Sequence, residues 1–343
     1  MILSPFVRLY GAIANLRNTL YEREIFKSFP LGARTISVGN ITFGGTGKTP
    51  FVAFVAEVLA EHGEKVCILT RGYGRENAKQ RVLVSDGENI LANVRTSGDE
   101  PFELANNLLG KAIIIADANR VEAAKWAREK FGVTVFVLDD AFQHQRAQRD
   151  LDIVLIDATK PFSILREPLK NLKRADLIVI TRANLVSENQ ITDYKLQITR
   201  FTNAPIFISG NKISNLTNLQ DFSIQRKTTN NGQLTTDNAL AFCALGNPNN
   251  FFEQLRHENF NLVGTVKFSD HHFYTQTDIE RNETEAIETG AEVLITTAKD
   301  AVKLKDLRLD FPCLVAESEM IFGDEKKLRE IIFRAIKNPK SKI

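Results

Sequence analysis

Apolar and polar positions follow two alternating rhythms between residues 35 and 210. Short runs that are almost entirely apolar, typical of strands buried on both faces of a sheet, are separated by longer segments with helical spacing. The predicted strands are seven runs at 35–39, 66–70, 112–116, 133–138, 151–156, 177–181 and 206–209. Strands that alternate with helices predict an α/β fold in which a mostly parallel sheet is flanked by helices.

The first predicted strand leads into a glycine-rich stretch and then a helix. The stretch reads Gly39-Asn-Ile-Thr-Phe-Gly-Gly-Thr-Gly-Lys-Thr-Pro50. Its glycines let main-chain N–H groups approach an anion, its lysine adds charge toward terminal phosphates, and its last threonine offers a hydroxyl to Mg²⁺. The sequence therefore predicts a phosphate-binding loop of the P-loop NTPase type; the alternative is a glycine-rich turn without a ligand. The predicted nucleotide contacts are Thr42, Phe43, Gly44, Gly45, Thr46, Gly47, Lys48 and Thr49.

An acidic pair follows the fourth predicted strand. Asp139 and Asp140 come directly after apolar residues, as in the element that holds Mg²⁺ beside a nucleotide. The alternative is a solvated turn, and the phosphate loop earlier in the same predicted sheet favours the metal site. Gln143 and His144 would then lie near the phosphates, because ligands bind at the carboxyl ends of parallel strands.

Loops after the second and third predicted strands each have two interpretations. The loop Arg71-Gly-Tyr-Gly-Arg75 either faces a phosphorylated or sugar substrate or is a surface turn. Asp99 is either a carboxylate that accepts or helps to accept a hydroxyl proton, or the cap of the next helix. Arg120 either neutralises charge on a transferring phosphoryl group or lies on the surface.

Loops further along the chain also leave alternatives open. Arg166 and Glu167 are placed to reach a phosphate and a metal, or they form a solvated charge pair. The run Thr181-Arg-Ala-Asn184 ends in asparagine where a guanine-specific loop would carry aspartate, which favours ATP over GTP.

Composition narrows the class of protein. A formal net charge of +2 over 343 residues gives no sign of nucleic-acid binding. Three scattered cysteines indicate neither a disulfide framework nor a zinc cluster and favour a reducing cytosol. No apolar run approaches the length of about 20 residues that spans a bilayer.

The N-terminal segment, about residues 1–27, is predicted to be an amphipathic helix. Apolar residues such as Ile13 and Leu16 recur at helical spacing, with Arg8, Arg17 and Arg23 between them. Such a helix either lies in a membrane interface or packs on the protein's own sheet. The sequence alone leaves these two placements equal.

A second, smaller α/β domain is predicted after a polar segment at 210–238, which includes a linker or exposed hairpin at 225–233. The predicted domains are therefore 1–222 and 223–343. Within the second domain, the run Asp270-His-His272 has three interpretations: it carries a proton acceptor, it carries a pair of metal ligands, or it is a polar loop without a chemical role. The run Thr296-Thr-Ala-Lys-Asp300 follows a predicted strand and is interpreted as the cap of the next helix.

Taken together, these motifs resemble the tetraacyldisaccharide 4'-kinases of lipid A synthesis over nearly the whole chain. The run Gly39-Asn-Ile-Thr42 is specific, because the family shares the missing first glycine of the strict phosphate-loop motif. Two departures are Ala141, where many members have glycine, and a shorter segment before Leu165. The motifs that carry the resemblance are Val38 to Pro50, Arg71-Gly-Tyr-Gly74, Ser97-Gly-Asp-Glu-Pro101, Asp139-Asp-Ala-Phe-Gln-His144, Leu165-Arg-Glu-Pro168 and Phe268-Ser-Asp-His271.

The resemblance implies an activity and a location. The activity is ATP- and Mg²⁺-dependent phosphorylation of the 4'-hydroxyl of a tetraacyldisaccharide 1-phosphate, giving a lipid IVA-type product. The location is the cytoplasmic face of the inner membrane of a Gram-negative bacterium, reached through the N-terminal helix, with an acylated disaccharide phosphate lipid as partner and no nucleic acid.

The resemblance also implies roles for individual residues. His271 would take the hydroxyl proton and Asp99 would orient or assist it, so that residues of the two predicted domains act together. The residues implied to stabilise phosphoryl charge are Lys48, Arg120 and Arg166. The residues implied to serve Mg²⁺ are Thr49, Asp139 and Asp140, with Glu167 as a candidate further ligand.

Two other classes of function compete with a lipid kinase. One is a membrane-docked P-loop ATPase switch that acts on protein partners, and the other is a nucleotide-binding assembly module. A switch would hydrolyse ATP without a lipid acceptor and would not need the loop that carries His271.

Overall fold

The computed structural model describes residues 5–223 and 238–337. The chain divides into two compact units, one formed by residues up to Ser209 together with those from Phe322 onward, and the other by Gly210–Ile321. Each unit is built around a sheet whose strands carry apolar residues on both faces.

The sheet of the first unit is parallel except at one edge. Its strand order is β8-β7-β6-β1-β5-β2-β4-β3, and β3 alone pairs antiparallel, with β4. The strands are β1 (Arg34–Asn40), β2 (Val66–Thr70), β3 (Val82–Ser85), β4 (Ala112–Ala116), β5 (Val135–Asp139), β6 (Leu151–Asp157), β7 (Leu177–Thr181) and β8 (Ile206–Asn218), the last of which continues into the second unit. The seven predicted strands are all present, and only the short edge strand β3 was not predicted.

Helices cover this sheet, and one of them follows the glycine-rich stretch. The helices are α1 (Pro5–Glu22), α2 (Lys48–Glu61), α3 (Val94–Ser97), α4 (Asp99–Asn107), α5 (Arg120–Phe131) and α6 (Glu188–Ile198), with 3-10 helices at Leu169–Arg174 and Ala183–Leu185. Helix α2 buries Phe51, Val55 and Val58 against β1, β2 and β5. Because α2 is anchored in this core, the loop at its N-terminus is held at the carboxyl end of β1.

The second unit has its own parallel sheet in the order β10-β9-β11-β12, with the later part of β8 next to β12. Its strands are β9 (Asn238–Cys243), β10 (Asn261–Lys267), β11 (Val293–Thr297) and β12 (Cys313–Phe322). Its helices are α7 (Leu219–Ser223), α8 (Pro248–His257), α9 (Gln276–Thr289) and α10 (Ala298–Ala301). The predicted second α/β unit is therefore present, while helix α8 was not predicted.

The division of the chain differs from the predicted domains 1–222 and 223–343. The last described helix, α11 (Glu325–Lys337), returns to the first unit and packs on α2. Its apolar face, with Leu328 and Ile332 buried, needs a partner, and α2 supplies it. Residues 210–218, the start of the polar segment, belong to β8, and the predicted linker or hairpin at 225–233 lies outside the described residues.

The N-terminal helix is confirmed from Pro5 to Glu22. It buries Ala14 and Asn18 and leaves Ile13 58% and Leu16 61% exposed, so one side packs on the protein and another faces away. Residues 1–4 lie outside the described range. Within 5–223 and 238–337, the structure has no helix with the length and apolarity needed to cross a bilayer.

Candidate active site

The glycine-rich stretch forms a loop between β1 and α2, as predicted. We refer to residues 41–47 as the phosphate loop. Gly44 and Gly47 have φ angles of 106° and 77°, which residues with a side chain rarely adopt. Gly47 occupies the N-cap position of α2 without a side chain to cap it, so main-chain N–H groups at this helix end are left for an anion.

Neighbouring strand ends hold the phosphate loop in place. Asn40 Nδ2 donates to Thr46 Oγ1 at 3.1 Å, and Thr181 Oγ1 donates to the carbonyl oxygen of Thr46 at 3.0 Å. Arg182 Nη1 donates to the carbonyl oxygen of Gly45 at 2.8 Å. The sequence indicates for Thr181 and Arg182 only a part in the choice between ATP and GTP. Their place at the end of β7 was the signal that could have identified this further role.

Arg182 is itself fixed by a buried carboxylate. Its Nη1 lies 2.6 Å from Asp157 Oδ2 at the end of β6, and Asp157 is 5% exposed. The φ angle of Arg182 is 55°, an uncommon value for a residue with a side chain. The pair therefore ties the phosphate loop to two strand ends of the sheet.

Packing explains the residues at 39–43, which precede the glycines of the phosphate loop. A Cβ atom at Gly39 would lie 2.6 Å from the backbone nitrogen of Phe142, so only glycine allows β1 to approach the loop after β5. Thr42 is buried and forms an antiparallel bridge with Leu165, while the Phe43 N–H donates to the carbonyl oxygen of Ile164 at 2.8 Å. Thr42 therefore serves strand-like pairing at the position where the strict motif has glycine.

Asp139 is the buried member of the acidic pair. Thr70 Oγ1 donates to its Oδ2 at 2.9 Å, while its Oδ1 accepts no hydrogen bond from any residue that the structure describes. Burial raises the pKa of Asp139 to about 6, and the charges of Glu100 and Asp140 add to this effect. A buried carboxylate oxygen without a donor is suited to accept a cation.

Asp140 has the opposite electrostatic environment. Lys48 Nζ lies 3.4 Å from its Oδ1, and Arg166 Nη1 lies 3.0 Å from both carboxylate oxygens. Burial alone would raise the pKa of Asp140, but the charges of Lys48 and Arg166 outweigh it and lower the pKa to about 2. Asp140 therefore stays ionised and draws two cations toward the phosphate loop.

Arg120 also faces the acidic pair. It opens α5, is 4% exposed, and its Nη2 donates to the carbonyl oxygen of Asp139. The surface interpretation of Arg120 is therefore wrong. Three of the predicted cations, Lys48, Arg120 and Arg166, converge on the same two aspartates.

Asp99 is the first residue of α4, and Gly98 occupies the cap position. The interpretation of Asp99 as the helix cap is therefore wrong. A Cβ atom at Gly98 would lie 2.6 Å from the carbonyl oxygen of Tyr73, so this helix start packs on the loop 71–75. In that loop Arg75 is buried and donates to the carbonyl oxygen of Ala116 at 2.6 Å, which gives it a structural role.

Gln143 and His144 follow the acidic pair. Gln143 Nε2 donates to the carbonyl oxygen of Asn40 at 2.8 Å, next to the phosphate loop. Burial lowers the pKa of His144 to about 3, and nearby arginines, first Arg120 and then Arg149, lower it further. His144 is therefore neutral at physiological pH. Contact of Gln143 and His144 with nucleotide remains a prediction.

The side chain of Glu167 has different partners from that of its neighbour Arg166. It is fully buried, and its Oε2 accepts hydrogen bonds from Asn18, Asn171 and Arg174 at 2.7 to 2.9 Å. The interpretation of Arg166 and Glu167 as a solvated charge pair is therefore wrong. A role for Glu167 in metal binding remains a prediction. Protein donors occupy its Oε2, while its buried Oε1 accepts no hydrogen bond from a described residue and has Arg17 Nη2 at 3.6 Å.

In the second unit, His271 lies in the loop after β10. Its Nε2 is 3.7 Å from Asp270 Oδ2, and Lys299 Nζ is 3.9 Å from Asp270 Oδ1. His272 Nε2 instead lies 3.0 Å from Asp278 Oδ2. At Thr296 to Asp300 the cap interpretation is confirmed, because Thr297 Oγ1 caps α10.

The residues of the first unit fit a nucleotide with Mg²⁺. Thr49, in the first turn of α2, and the acidic pair offer the hydroxyl and carboxylate oxygens that Mg²⁺ prefers. No group of three or more His, Cys, Asp or Glu side chains among the described residues is placed to hold a metal. Mg²⁺ commonly binds through one or two carboxylates together with substrate phosphates, so this arrangement suits it.

Comparison with known proteins identifies the family. The family model described as LpxK, tetraacyldisaccharide-1-P 4'-kinase, matches residues 1–337. A tetraacyldisaccharide 4'-kinase from Halothermothrix orenii is 38% identical over 317 residues, covering 88% of this chain and 82% of that protein. One from Chlorobium phaeovibrioides is 36% identical over 357 residues, covering 97% and 98%.

A solved structure agrees with this assignment. The crystal structure of LpxK from Aquifex aeolicus, described as a complex with ATP, has a TM-score of 0.75 and 31% identity, and the match covers 97% of this chain and 98% of that one. The chain therefore belongs to the LpxK family of tetraacyldisaccharide-1-P 4'-kinases.

Proposed function

We propose that this protein transfers the γ-phosphoryl group of ATP to the 4'-hydroxyl of a tetraacyldisaccharide 1-phosphate. The observation that carries the proposal is the convergence of Lys48, Arg120 and Arg166 on the acidic pair beside the phosphate loop. Phosphoryl transfer depends on positioning and on neutralising charge, and this arrangement supplies both. Membership of the LpxK family supports the choice of acceptor.

The proposed reaction forms one bond and breaks another. The 4'-hydroxyl oxygen attacks the γ-phosphorus of ATP, the bond from that phosphorus to the β,γ-bridging oxygen breaks, and ADP leaves. The hydroxyl proton passes to His271, which Asp99 orients or assists. These two roles come from the family resemblance, and a histidine suits proton transfer near neutral pH.

The first unit would bind the nucleotide and neutralise its charge. Main-chain N–H groups of the phosphate loop would hold the phosphates, and Lys48, Arg120 and Arg166 would offset charge on the transferring group. Thr49, Asp139 and Asp140 would hold Mg²⁺, which when bound supplies positive charge beside the phosphates. Asp140 would also keep Lys48 and Arg166 close to the loop before ATP arrives.

Membrane attachment through α1 is part of the proposal. Ile13 and Leu16 are 58% and 61% exposed, and such residues can insert into an interface where acyl chains lie. Burying a leucine or isoleucine side chain contributes about 1.5–3 kcal/mol, so two of them make a measurable difference in binding. The proposed location is the cytoplasmic face of the bacterial inner membrane, with the enzyme peripheral to it.

Sedimentation with anionic phospholipid vesicles tests the attachment. We expect the intact protein to sediment and the double variant Ile13→Ser with Leu16→Ser to remain largely in solution. A matched control is Leu196→Ser, because Leu196 is 60% exposed on α6. Equal sedimentation of all three proteins would contradict a role for this helix.

Transfer of labelled γ-phosphate tests the activity. ATP labelled at the γ-phosphate is incubated with a tetraacyldisaccharide 1-phosphate in detergent micelles and Mg²⁺, and the label is followed into lipid. We expect labelled lipid from the intact protein and a loss of about 100- to 1000-fold in Lys48→Ala. Without transfer, but with ATP hydrolysis in the absence of lipid, the proposal would fail and the ATPase switch would be favoured.

A further inference from the structure

Helix α1 joins two of the active-site loops through one asparagine. Asn18 is 4% exposed, and its Nδ2 donates to Glu167 Oε2 at 2.8 Å. Its Oδ1 accepts a hydrogen bond from Gln145 Nε2, in the loop that follows the acidic pair. The side chain of Asn18 therefore connects the loop after β5 to the segment that carries Arg166.

Glu167 is the buried centre of this connection. Arg174 Nη2 lies 2.7 Å and Asn171 Nδ2 lies 2.9 Å from its Oε2, and Arg17 Nη2 lies 3.6 Å from its Oε1. A buried carboxylate needs such partners, because ionised groups are costly to remove from water. Helix α1 supplies two of the four partners, Arg17 and Asn18.

The same segment places Arg166 in the site. The Arg166 N–H donates to the carbonyl oxygen of Ile41, the first residue of the phosphate loop, at 2.7 Å. The side chains of Arg166 and its neighbour Glu167 have different partners. Arg166 contacts Asp140, and Glu167 contacts Asn18 of α1. Any shift of Glu167 is therefore passed through one peptide unit to Arg166.

We propose that Glu167 is a positioning residue, which ties the segment carrying Arg166 to α1 and so fixes the guanidinium of Arg166 beside Asp140. The expected change in reaction rate rests on the proposed function. The expected change in structure rests on the hydrogen bonds alone. On this proposal, helix α1, which would bind the membrane, also holds part of the active site in position.

Kinetics of Glu167→Gln and Asn18→Ala test the inference. A misplacement of about 1 Å can reduce the rate of an enzyme by about 100-fold. We therefore expect kcat to fall by about 10- to 100-fold in both variants, while the Kd for ATP changes less than about twofold, since Arg166 would act mainly in the transition state. Unchanged kcat in folded variants would overturn the proposal.

A double-variant cycle separates positioning from general loss of structure. If Glu167 acts through Arg166, Glu167→Gln should cause no further loss of kcat in an Arg166→Ala background. An equal loss in both backgrounds would overturn the inference. Glu22→Gln is the matched control, because the ion pair of Glu22 with Lys173, at 2.9 Å, joins α1 to the same segment on the exposed surface.

The Mg²⁺ requirement distinguishes positioning from metal binding. If Glu167 held the metal, Glu167→Gln would raise the Mg²⁺ concentration that gives half-maximal rate, while Asn18→Ala would leave it unchanged. We expect neither variant to change this concentration. A rise confined to Glu167→Gln would overturn the positioning role.

Amide hydrogen exchange measures the structural effect without substrate. We expect the Arg166 amide, which donates to Ile41, to exchange at least about tenfold faster in Glu167→Gln and Asn18→Ala than in the unmodified protein or Glu22→Gln. Unchanged exchange would overturn the inference. Failure of the unmodified protein to phosphorylate the lipid would count against the proposed function instead, so the two failures are distinguishable.

Discussion

The two loops that carry the proposed chemistry are held in place by different means. In the first unit, side chains that are buried or lie at strand ends form hydrogen bonds with the phosphate loop. Arg182 donates to the carbonyl oxygen of Gly45 at 2.8 Å and also pairs with buried Asp157. In the second unit, the contacts of His271 and Lys299 with Asp270 span 3.7 and 3.9 Å, and Asp270 is 47% exposed.

The difference matches the demands of the two tasks. Charge stabilisation requires groups that are in position before the reaction, because reorganisation during it would cost free energy. A proton acceptor must meet a hydroxyl of an incoming substrate, and a loop held by long contacts to a half-exposed carboxylate can adjust to it. We therefore expect substitutions around the phosphate loop to alter ATP binding and those around His271 to alter turnover.

The largest expected effect is the loss of the proton acceptor. His271→Ala should lower kcat by about 100- to 10,000-fold, the usual contribution of general base catalysis, and leave the Kd for ATP unchanged. His272→Ala is the control, since His272 bonds Asp278 at 3.0 Å and stacks on Phe268. Steady-state rates with the lipid acceptor check this, and similar losses in both variants would contradict the assignment.

A smaller effect, on ATP binding, is expected at Arg182, which donates a hydrogen bond to the phosphate loop. Arg182→Lys keeps a positive charge for Asp157 but cannot bond both Asp157 and Gly45, so the Kd for ATP should rise by about tenfold, equal to about 1.4 kcal/mol. Isothermal titration with ATP and Mg²⁺ measures it. Arg256→Lys, at an exposed arginine of the second unit, should leave the Kd unchanged.

A still smaller effect is expected at Lys299. Its distance of 3.9 Å from half-exposed Asp270 is typical of ion pairs that contribute no more than about 1 kcal/mol. Lys299→Met should therefore lower kcat by no more than about fivefold and leave ATP binding unchanged. A loss as large as that of His271→Ala would show that Lys299 has a direct part in the reaction.

A separate effect concerns stability against acid rather than activity. The pKa of His144 is lowered to about 3 in the folded protein, below its ordinary value of about 6.5, so the unfolded chain binds the proton first as the pH falls. Stability is lost progressively from about pH 6.5 downward, by about 1 kcal/mol between pH 6.5 and 5.5. Urea unfolding of His144→Gln should lack this part of the pH dependence. An unchanged pH profile would contradict it.

The strands and the phosphate loop could be predicted because their signals are local. Strands such as β6 and β7 are apolar on both faces since both faces are covered, and their runs stand out in the sequence. The loop was recognisable because its conformation requires glycine at particular positions. Gly44 and Gly47 have the positive φ angles that only glycine adopts readily. The return of α11 to the first unit could not be predicted, because an apolar helix face does not indicate its partner.

The sequence by itself thus determined the fold class, the phosphate loop and the acidic pair. Only the tertiary structure decided which side chains hold these parts in place. Arg182 bonds Gly45 from 137 positions away, and Glu167 bonds Asn18 from 149 positions away. Such contacts leave no local pattern, because they depend on which strand ends and helices meet after the chain has folded, and charged residues at strand ends have many alternative partners.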